Sequence, residues 1–169
     1  LPTTVTGQAG DLLKVVNWTA QAWVDIQNEH DNWRWMRLAF SGSLTASTAS
    51  YAAGSFSVTD LGRWLHDTAQ GTTIYLTASG VSDEGTLPYA SWEKWRYQYG
   101  RGTQTNARPI VWTISPAEAF VVGPAPDDTY TVNGEYQQAA VTLAANADTP
   151  GCPARFHQAI VWRAVRALA

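Results

Sequence analysis

Two kinds of spacing between hydrophobic positions alternate along the chain, and they predict helices separated by strands. In residues 11–30 the apolar side chains recur every three or four positions, which is the period of a helix with one buried face. The stripe consists of Leu12, Val16, Ala20, Trp23 and either Ile26 or Gln27. A first helix is therefore predicted, with most of its polar residues facing away from the core.

The spacing changes to two directly after this helix, within the stretch NEHDNWRWMRLAFS at residues 28–41. From Arg34 onward, alternate side chains are expected to point to opposite sides, as they do along a strand. Met36, Leu38 and Phe40 share one side, and Trp35, Arg37 and Ala39 share the other. The stretch is thus predicted to contain a helix end, a corner at residues 30–32 and the start of a strand.

Glycine, proline and small polar residues separate the elements that follow. Residues 41–55 are small and polar without any period, which predicts a flexible hairpin loop. Strands are predicted within residues 55–67 and 71–78, because both are rich in β-branched and aromatic residues. A second helix is predicted at residues 88–99, with Pro88 at its first position.

The last third of the chain completes a fold of mixed class. Residues 108–136 predict a meander of three strands with a turn at Asn133–Gly134. Residues 153–169 predict a last helix, whose stripe is Phe156, Ile160, Ala164 and Leu168, widened by Val161 and Val165. The order predicts an α+β fold, in which N-terminal, middle and C-terminal helices pack with an antiparallel β-meander and hairpins. We expect a single domain over residues 1–169, with an N-terminal arm at residues 1–9.

Charge and cysteine content narrow the classes of function. Only 15% of the 169 residues are charged, and the net charge is −3 without any block of like charge. Such a chain lacks the basic footprint of sequence-nonspecific DNA binding. Cys152 is the only cysteine, which excludes an intrachain disulfide and a cysteine-based zinc site. No apolar run predicts a membrane span, and the first ten residues show no signal-peptide pattern. The helical pattern at the end of the sequence predicts a longer native protein or a helix that continues onto a partner.

The sequence contains no catalytic or metal-binding motif. His30, His66 and His157 lie far apart without the spacing of metal ligands, and neither a nucleophile elbow nor a nucleotide-binding loop is present. We therefore predict no catalytic residue, no cofactor and no metal. A polysaccharide hydrolase that uses Asp127 or Glu135 is one alternative, although Asp127 lies in a predicted turn, where aspartate is favoured for structural reasons.

Nine tryptophans are more than a small core needs, and six of them fall into two groups. Those on predicted apolar faces are expected in the core, and they are Trp23, Trp92, Trp95 and Trp112. Trp33 and Trp35 are different, because Arg34 and Arg37 lie between and beside them, and tryptophan with arginine is the usual anchor of a protein interface. A stacking platform for sugar rings or nucleobases, built from Trp33, Trp35, Trp92 and Trp95, is the alternative.

Several stretches also carry a family resemblance when they are taken in order. They are LLKVVNWTAQAWVDIQNEHDNWRWMR, LAFSGSLTASTASY, LPYASWEKWRYQYG, RPIVWTISPAEAFVVGPAPDDTYTVNGEY and DTPGCPARFHQAIVWRAVRALA. Over residues 9–169 the layout resembles the head-to-tail adaptor proteins of tailed bacteriophages, which dock beneath the portal. The resemblance implies a structural virion protein of the neck, and not an enzyme.

The same resemblance implies the partners of the chain. Such adaptors form a ring, dodecameric by family expectation, between the portal protein and the tail or nozzle proteins, and they assemble in the host cytoplasm. Genomic double-stranded DNA passes through the ring during ejection without sequence-specific binding, and no membrane is involved. A ring subunit hides two lateral faces from water, which fits the surplus of tryptophan and the sparse charge.

Six residues are predicted to lie at partner interfaces: Trp33, Arg34, Trp35, Arg37, Arg163 and Arg166. Trp33 is expected to lock the first helix onto the strand, while Trp35, Arg34 and Arg37 meet a neighbouring subunit or the portal. Two further functions also fit the sequence. The first is another neck protein, such as a stopper or tail-completion factor, and the second is a carbohydrate-binding module with exposed coplanar aromatic rings.

Overall fold

The computed structural model describes residues 4–68 and 71–167 of the chain, and it contains two compact units. The helical unit consists of Leu1–Arg37 and Ala139–Ala169, and the β unit consists of Leu38–Gln138. The predicted α+β class is confirmed, because the described residues form three α-helices and two antiparallel sheets. The expectations of a single domain and of an N-terminal arm, of which residues 1–3 lie outside the described part, stay predictions.

Two helices form the helical unit around a small core. Helix α1 spans Gly10–Asn28, which confirms the first predicted helix, and helix α3 spans His157–Arg166 after a 3₁₀ turn at Ala154–Phe156. The buried residues between them are Ala22, Trp23, Cys152, Ile160 and Ala164. Because few side chains make up this core, each of them contributes a large share of the unit's stability.

The apolar face of α3 is narrower than predicted. Ile160 and Ala164 are buried, as expected, but Phe156, Val161 and Val165 are each about half exposed. A single neighbouring helix covers only one arc of a helix surface, and here that arc carries Ile160 and Ala164. The prediction that Phe156, Val161 and Val165 belong to the buried stripe is therefore wrong, and Leu168 lies outside the described residues.

The β unit contains a five-stranded and a three-stranded sheet. The larger sheet comprises β1 (Arg37–Leu44), β3 (Leu61–Leu65), β4 (Thr72–Leu76), β5 (Gly85–Leu87) and β8 (Tyr130–Gln138). Its order is β1-β8-β4-β5, and β3 pairs with the C-terminal half of β8. The smaller sheet has the order β2-β7-β6, with β2 at Ser50–Tyr51, β6 at Val111–Ile114 and β7 at Phe120–Gly123. The strands predicted within residues 55–67, 71–78 and 108–136 are thus confirmed.

Aromatic rings join the two sheets in one core. Phe40 of β1, Phe56, Trp64 of β3 and Phe120 of β7 meet edge to face, with ring centroids 4.8–5.9 Å apart. Such contacts are favourable beyond simple burial, because the positive edge of one ring meets the negative face of the next. The four rings are buried in one cluster with Trp112, so this part of the tryptophan surplus belongs to the core.

The turn predicted at Asn133–Gly134 is wrong, because β8 runs straight through it. Asn133 pairs with Thr73 of β4 in the regular antiparallel register. A Cβ atom at position 134 would lie 2.7 Å from the Cε1 atom of Phe40, so glycine is required there by a closely packed ring. As a result β6 and β7 form a hairpin of the smaller sheet, whereas β8 belongs to the larger one.

The middle helix begins later than predicted. Helix α2 spans Trp92–Gln98, and the Ser91 hydroxyl oxygen caps it by accepting a hydrogen bond from the backbone N–H of Lys94 at 3.3 Å. Pro88 lies before the helix, where its carbonyl accepts a bond from the N–H of Trp112 at 3.0 Å. A serine cap satisfies a free helical N–H, which a proline at the first position cannot do.

The first strand also begins later, at Arg37. Arg34–Met36 forms a 3₁₀ turn, so the predicted alternation across Trp35 and Arg37 does not hold, and Leu38 is exposed while Phe40 is buried. Residues 41–55 include the end of β1 and all of β2, joined by a turn in which the Tyr51 hydroxyl donates to the Thr48 carbonyl at 2.6 Å. The flexibility expected of this segment stays a prediction.

Candidate functional site

The stretch after α1 folds back onto the end of that helix. The indole Nε1–H of Trp33 donates a hydrogen bond to the backbone carbonyl of Ile26 at 3.0 Å, which satisfies one of the last carbonyls of the helix. His30 contacts the Trp33 ring edge to face, with centroids 4.8 Å apart. Trp33 therefore ties the last turn of α1 to the 3₁₀ turn that leads into β1.

Trp35 extends this contact into the core of the helical unit. Its ring stacks on that of Trp23 at 5.2 Å and lies 5.7 Å from that of Trp33. Trp23 is fully buried, whereas Trp33 and Trp35 are only partly buried. The three indoles thus form a ladder that runs from the core to the surface.

The surface end of this ladder is one wall of an apolar groove of about 480 Å³, which we call the aromatic groove. Its other wall comes from the segment before α3 and from α3 itself. The lining residues are Trp23, Ile26, Asn32, Trp33, Arg34, Trp35, Cys152, Pro153, Arg155, Phe156, Ala159 and Ile160. This volume lies within the range of about 300–1,000 Å³ that is usual for ligand pockets, so the groove can receive several apolar side chains.

Two of the predicted interface arginines are held by their own chain. Arg37 donates from its Nε to the Asn32 side-chain oxygen at 2.7 Å. Arg163 forms ion pairs with Asp25, at 3.7 Å, and with Glu29, and these pairs join α3 to α1. Each side chain is about half exposed, and ion pairs in contact with water contribute little stability.

The other two arginines point into solvent. Arg34 and Arg166 are exposed, and neither has an ion pair or hydrogen bond among the described residues. Arg34 lines the aromatic groove, and Arg155 on the opposite wall lies over the Phe156 ring with 4.8 Å between guanidinium carbon and ring centroid. The groove therefore has a cationic rim that the sequence interpretation recognised only on the Arg34 side.

The helical unit also exposes apolar residues that the sequence interpretation placed in the core or overlooked. On α1 they are Leu12, Leu13 and Val15, and on α3 they are Val161, Trp162 and Val165. Trp162 is 68% exposed, which is unusual for so large an apolar side chain. A helical projection of α3 contains the signal that was missed, because its apolar residues cover more than half of the helix surface and one neighbouring helix can bury only a part of that arc.

This arrangement offers packing surfaces and cations, and it coincides with a family match. The family model described as SU10 adaptor protein matches residues 4–169, which is nearly the whole chain. The chain belongs to the SU10 adaptor protein family. Membership confirms the resemblance to phage adaptor proteins at the level of the family. Comparison with curated proteins gives no significant match.

His66 and His157, two histidines that could have had a chemical role, each contact another residue of the chain. His66 stacks on Tyr89 with centroids 4.1 Å apart, and the Nε2 of His157 lies 3.0 Å from the carbonyl oxygen of Cys152. Within residues 4–68 and 71–167, no three side chains of the types His, Cys, Asp and Glu come together as a set of metal ligands. None of the helices in the described part of the adaptor combines the length and the apolar character that a bilayer crossing demands.

The carboxylates of the hydrolase alternative do not meet at one site. Asp127 accepts a hydrogen bond from the Tyr130 hydroxyl at 2.8 Å, at the turn before β8. Burial, with the neighbouring Asp127 carboxylate, raises the pKa of Tyr130 to about 12. Glu135 lies within β8, opposite Leu65 of β3. Asp127 therefore fixes a turn, as the sequence interpretation preferred.

The four tryptophans of the proposed stacking platform are divided between the two compact units. Trp92 and Trp95 stack on each other in α2 at 5.3 Å and nearly parallel, within the β unit. Trp33 and Trp35 lie in the helical unit, where they stack toward Trp23. Trp23 and Trp112 are buried as predicted, whereas Trp92 and Trp95 are only partly buried.

Proposed function

We propose that this chain is the head-to-tail adaptor of a tailed phage, and that copies of it form a ring between the portal protein and the tail or nozzle proteins. Membership of the adaptor family supports this role. The observation that carries the proposal is the exterior of the helical unit, where three apolar residues of α1 and three of α3 stand in solvent. A group of exposed apolar side chains that includes a tryptophan is typical of a surface that a protein partner covers.

The proposal gives the six predicted interface residues distinct parts. Trp33 and Trp35 shape the aromatic groove from within, since both stack toward Trp23. Arg34 and Arg166 are the exposed cations that meet carboxylates or carbonyls of a partner. Arg37 and Arg163 already bond within the chain and support the surface from behind.

The ring we propose is dodecameric, lies at the neck of the virion and assembles in the host cytoplasm. Genomic DNA passes through its channel without sequence-specific contacts. The net charge of −3 and the low charged fraction support a channel that does not retain DNA, because affinity for the duplex comes mainly from lysine and arginine at phosphates. The role is structural, without catalysis.

Electron microscopy of the purified chain mixed with its portal protein tests this function. The expected result is a second ring bound beneath the portal, with one symmetry axis shared by both. A chain that stays monomeric beside an unchanged portal would contradict the proposal. A ring that binds only to an already assembled adaptor layer would instead favour a stopper or tail-completion factor.

A double substitution tests whether Arg34 and Arg37 contribute to partner binding. Arg34→Ala with Arg37→Ala should leave the helical circular dichroism signal unchanged, because Arg34 is exposed and the Arg37 side chain bonds, within the described part of the chain, to the exposed Asn32. We expect weaker sedimentation with the portal on a gradient, since rim charges act on assembly more than on folding. Arg101→Ala in the β unit, also exposed, is the matched control. Unchanged co-sedimentation of the double variant would remove these arginines from the interface.

The carbohydrate-binding module is less well supported. Such a module needs coplanar rings that are free on one face, whereas Trp33 and Trp35 are inclined by 33° and the N–H of Trp33 is already bonded to Ile26. Titration of tryptophan fluorescence with oligosaccharides separates the two functions. Saturable quenching would support the module, and an unchanged spectrum supports the adaptor.

A further inference from the structure

The apolar face of α1 continues into the first half of the helix, where it is exposed, whereas in the second half it is buried. Leu12 and Val15 lie on the same side of the helix as Ala22 and Trp23, yet both are 47% exposed. Helix α1 has 19 residues and α3 has 10, so their lengths are about 28 Å and 15 Å. Because α3 is so much shorter, it leaves close to half of α1 without a helical neighbour. We call residues 11–16 the α1 overhang.

The α1 overhang cannot fill the aromatic groove of its own chain. Leu12 precedes Trp23 by 11 residues within one continuous helix, which places them about 16 Å apart along the axis. A helix cannot fold back on itself over that distance without breaking its hydrogen bonds. If the overhang occupies such a groove, the groove must belong to a second copy.

The two surfaces are complementary in polarity and in charge. The groove is lined mainly by aromatic and aliphatic side chains, and among the described residues its charged lining consists of Arg34 and Arg155, without any carboxylate. The overhang presents leucine and valine beside Asp11, the acidic residue of the first turn of α1. Asp11 pairs with Lys14, but both are highly exposed, so the pair is weak and can be exchanged for a pair with a rim arginine.

We propose that the α1 overhang of one copy packs into the aromatic groove of the next copy. This inference rests on the proposed function and names the lateral contact of the ring. The contact joins two different surfaces, so it repeats from copy to copy and closes into a ring when the rotation per step allows it. Symmetric pairing of identical surfaces would instead end at a dimer.

A single contact of this kind is weak. The overhang contributes Leu12, Leu13, Val15 and Val16, whereas a standard stable interface involves roughly 20–30 residues on each side. In a closed ring each copy uses the contact twice, once through its overhang and once through its groove. The contact therefore predicts a chain that is monomeric when dilute and assembles at high concentration or on the portal.

Two variants with opposite defects test the contact. Leu12→Ser with Val15→Ser removes the apolar overhang and leaves the groove intact. Ala159→Trp fills the groove from the exposed Ala159 of α3 and leaves the overhang intact. Neither variant should form rings, alone or on the portal, whereas an equimolar mixture should form heterodimers, because one good overhang still meets one good groove. Because a single contact is weak, sedimentation velocity measures these species at the high protein concentration at which the unsubstituted chain assembles.

Val81→Ser is the matched control for loss of an exposed apolar residue, because Val81 is 71% exposed and lies in the β unit. It should assemble like the unsubstituted chain. The helical circular dichroism signal shows whether each variant is folded, and Ala159→Leu replaces Ala159→Trp should the larger residue lower that signal. Both groove substitutions are expected to prevent assembly.

The possible outcomes distinguish a failure of the proposed contact from a failure of the proposed function. Rings formed by either variant as readily as by the unsubstituted chain would overturn the contact while leaving the adaptor function intact. Homodimers of a single variant, or a mixture without heterodimers, would also overturn it, since both conflict with an overhang-to-groove contact. An unsubstituted chain that forms no ring on the portal would overturn the proposed function itself.

Discussion

Replacement of Trp23 by alanine tests whether the small core of the helical unit is as important as its packing indicates. Trp23 is fully buried, stacks on Trp35 at 5.2 Å and lies in the cluster that contains Ile160 and Ala164. Its indole N–H has no partner among the described residues, so the substitution removes packing and no hydrogen bond. Large-to-small changes of a buried tryptophan cost about 3–5 kcal/mol.

This cost translates into a large shift of the urea midpoint. With a denaturant dependence of about 2 kcal/mol per molar, the midpoint should fall by about 1.5–2.5 M. The assay is urea unfolding followed by the helical circular dichroism signal. Trp162→Ala is the matched control, because it removes the same side chain from a position that is 68% exposed and should cost less than about 0.5 kcal/mol.

The two variants together decide whether Trp23 holds α1 against α3. A shift for Trp23→Ala no larger than that for Trp162→Ala would mean that Trp23 does not hold α1 against α3. The aromatic groove, which Trp23 helps to line, would then lack a rigid floor, and the proposed contact between copies would lose its basis.

Three further predictions concern the β unit. Gly134→Ala should destabilise the chain by about 1–3 kcal/mol, measured by urea unfolding, because its Cβ would lie 2.7 Å from the Phe40 ring. The pKa of Asp83 is lowered by the Leu76 amide and then by Arg108. The stabilisation from this carboxylate is therefore present above the ordinary pKa of 3.8 and is lost as the pH falls below it. Asp83→Asn should flatten this decline of the urea midpoint at acid pH. The pKa of Tyr130 is raised from 10.0 to about 12, so its stabilisation is complete below pH 10 and is lost between pH 10 and 12. The urea midpoint of Tyr130→Phe should therefore fall less over that interval than the midpoint of the unsubstituted chain.

Much of the fold follows from local periodicity. The stripe of α1 and the alternating strands are set by side-chain spacing, which depends on the backbone period alone. The misplaced turn at Asn133–Gly134 has a different origin, because that dipeptide favours a turn locally, whereas here the glycine makes room for Phe40 from a distant strand. The start of α2 was likewise decided by a contact between Pro88 and Trp112, which no local pattern contains.

The candidate site was predictable only in part. The interleaved tryptophans and arginines after α1 identified one wall of the aromatic groove, because residue type alone indicates an interface anchor. The second wall, with Arg155 and Phe156, lies far away in sequence, and only folding brings it opposite Trp33. The exposure of Val161 and Val165 depends on how many neighbours α3 has, and this number is a property of packing that periodicity does not encode.

Hydroxyl-radical footprinting tests most directly whether the exposed apolar residues of the helical unit are an assembly surface. Reactivity is measured at Leu12, Leu13 and Val15 in the dilute chain and in the chain bound to its portal, with Val81 of the β unit as the reference. We expect these three residues of the overhang to lose most of their reactivity on assembly. Equal reactivity in the free and the portal-bound chain would contradict it.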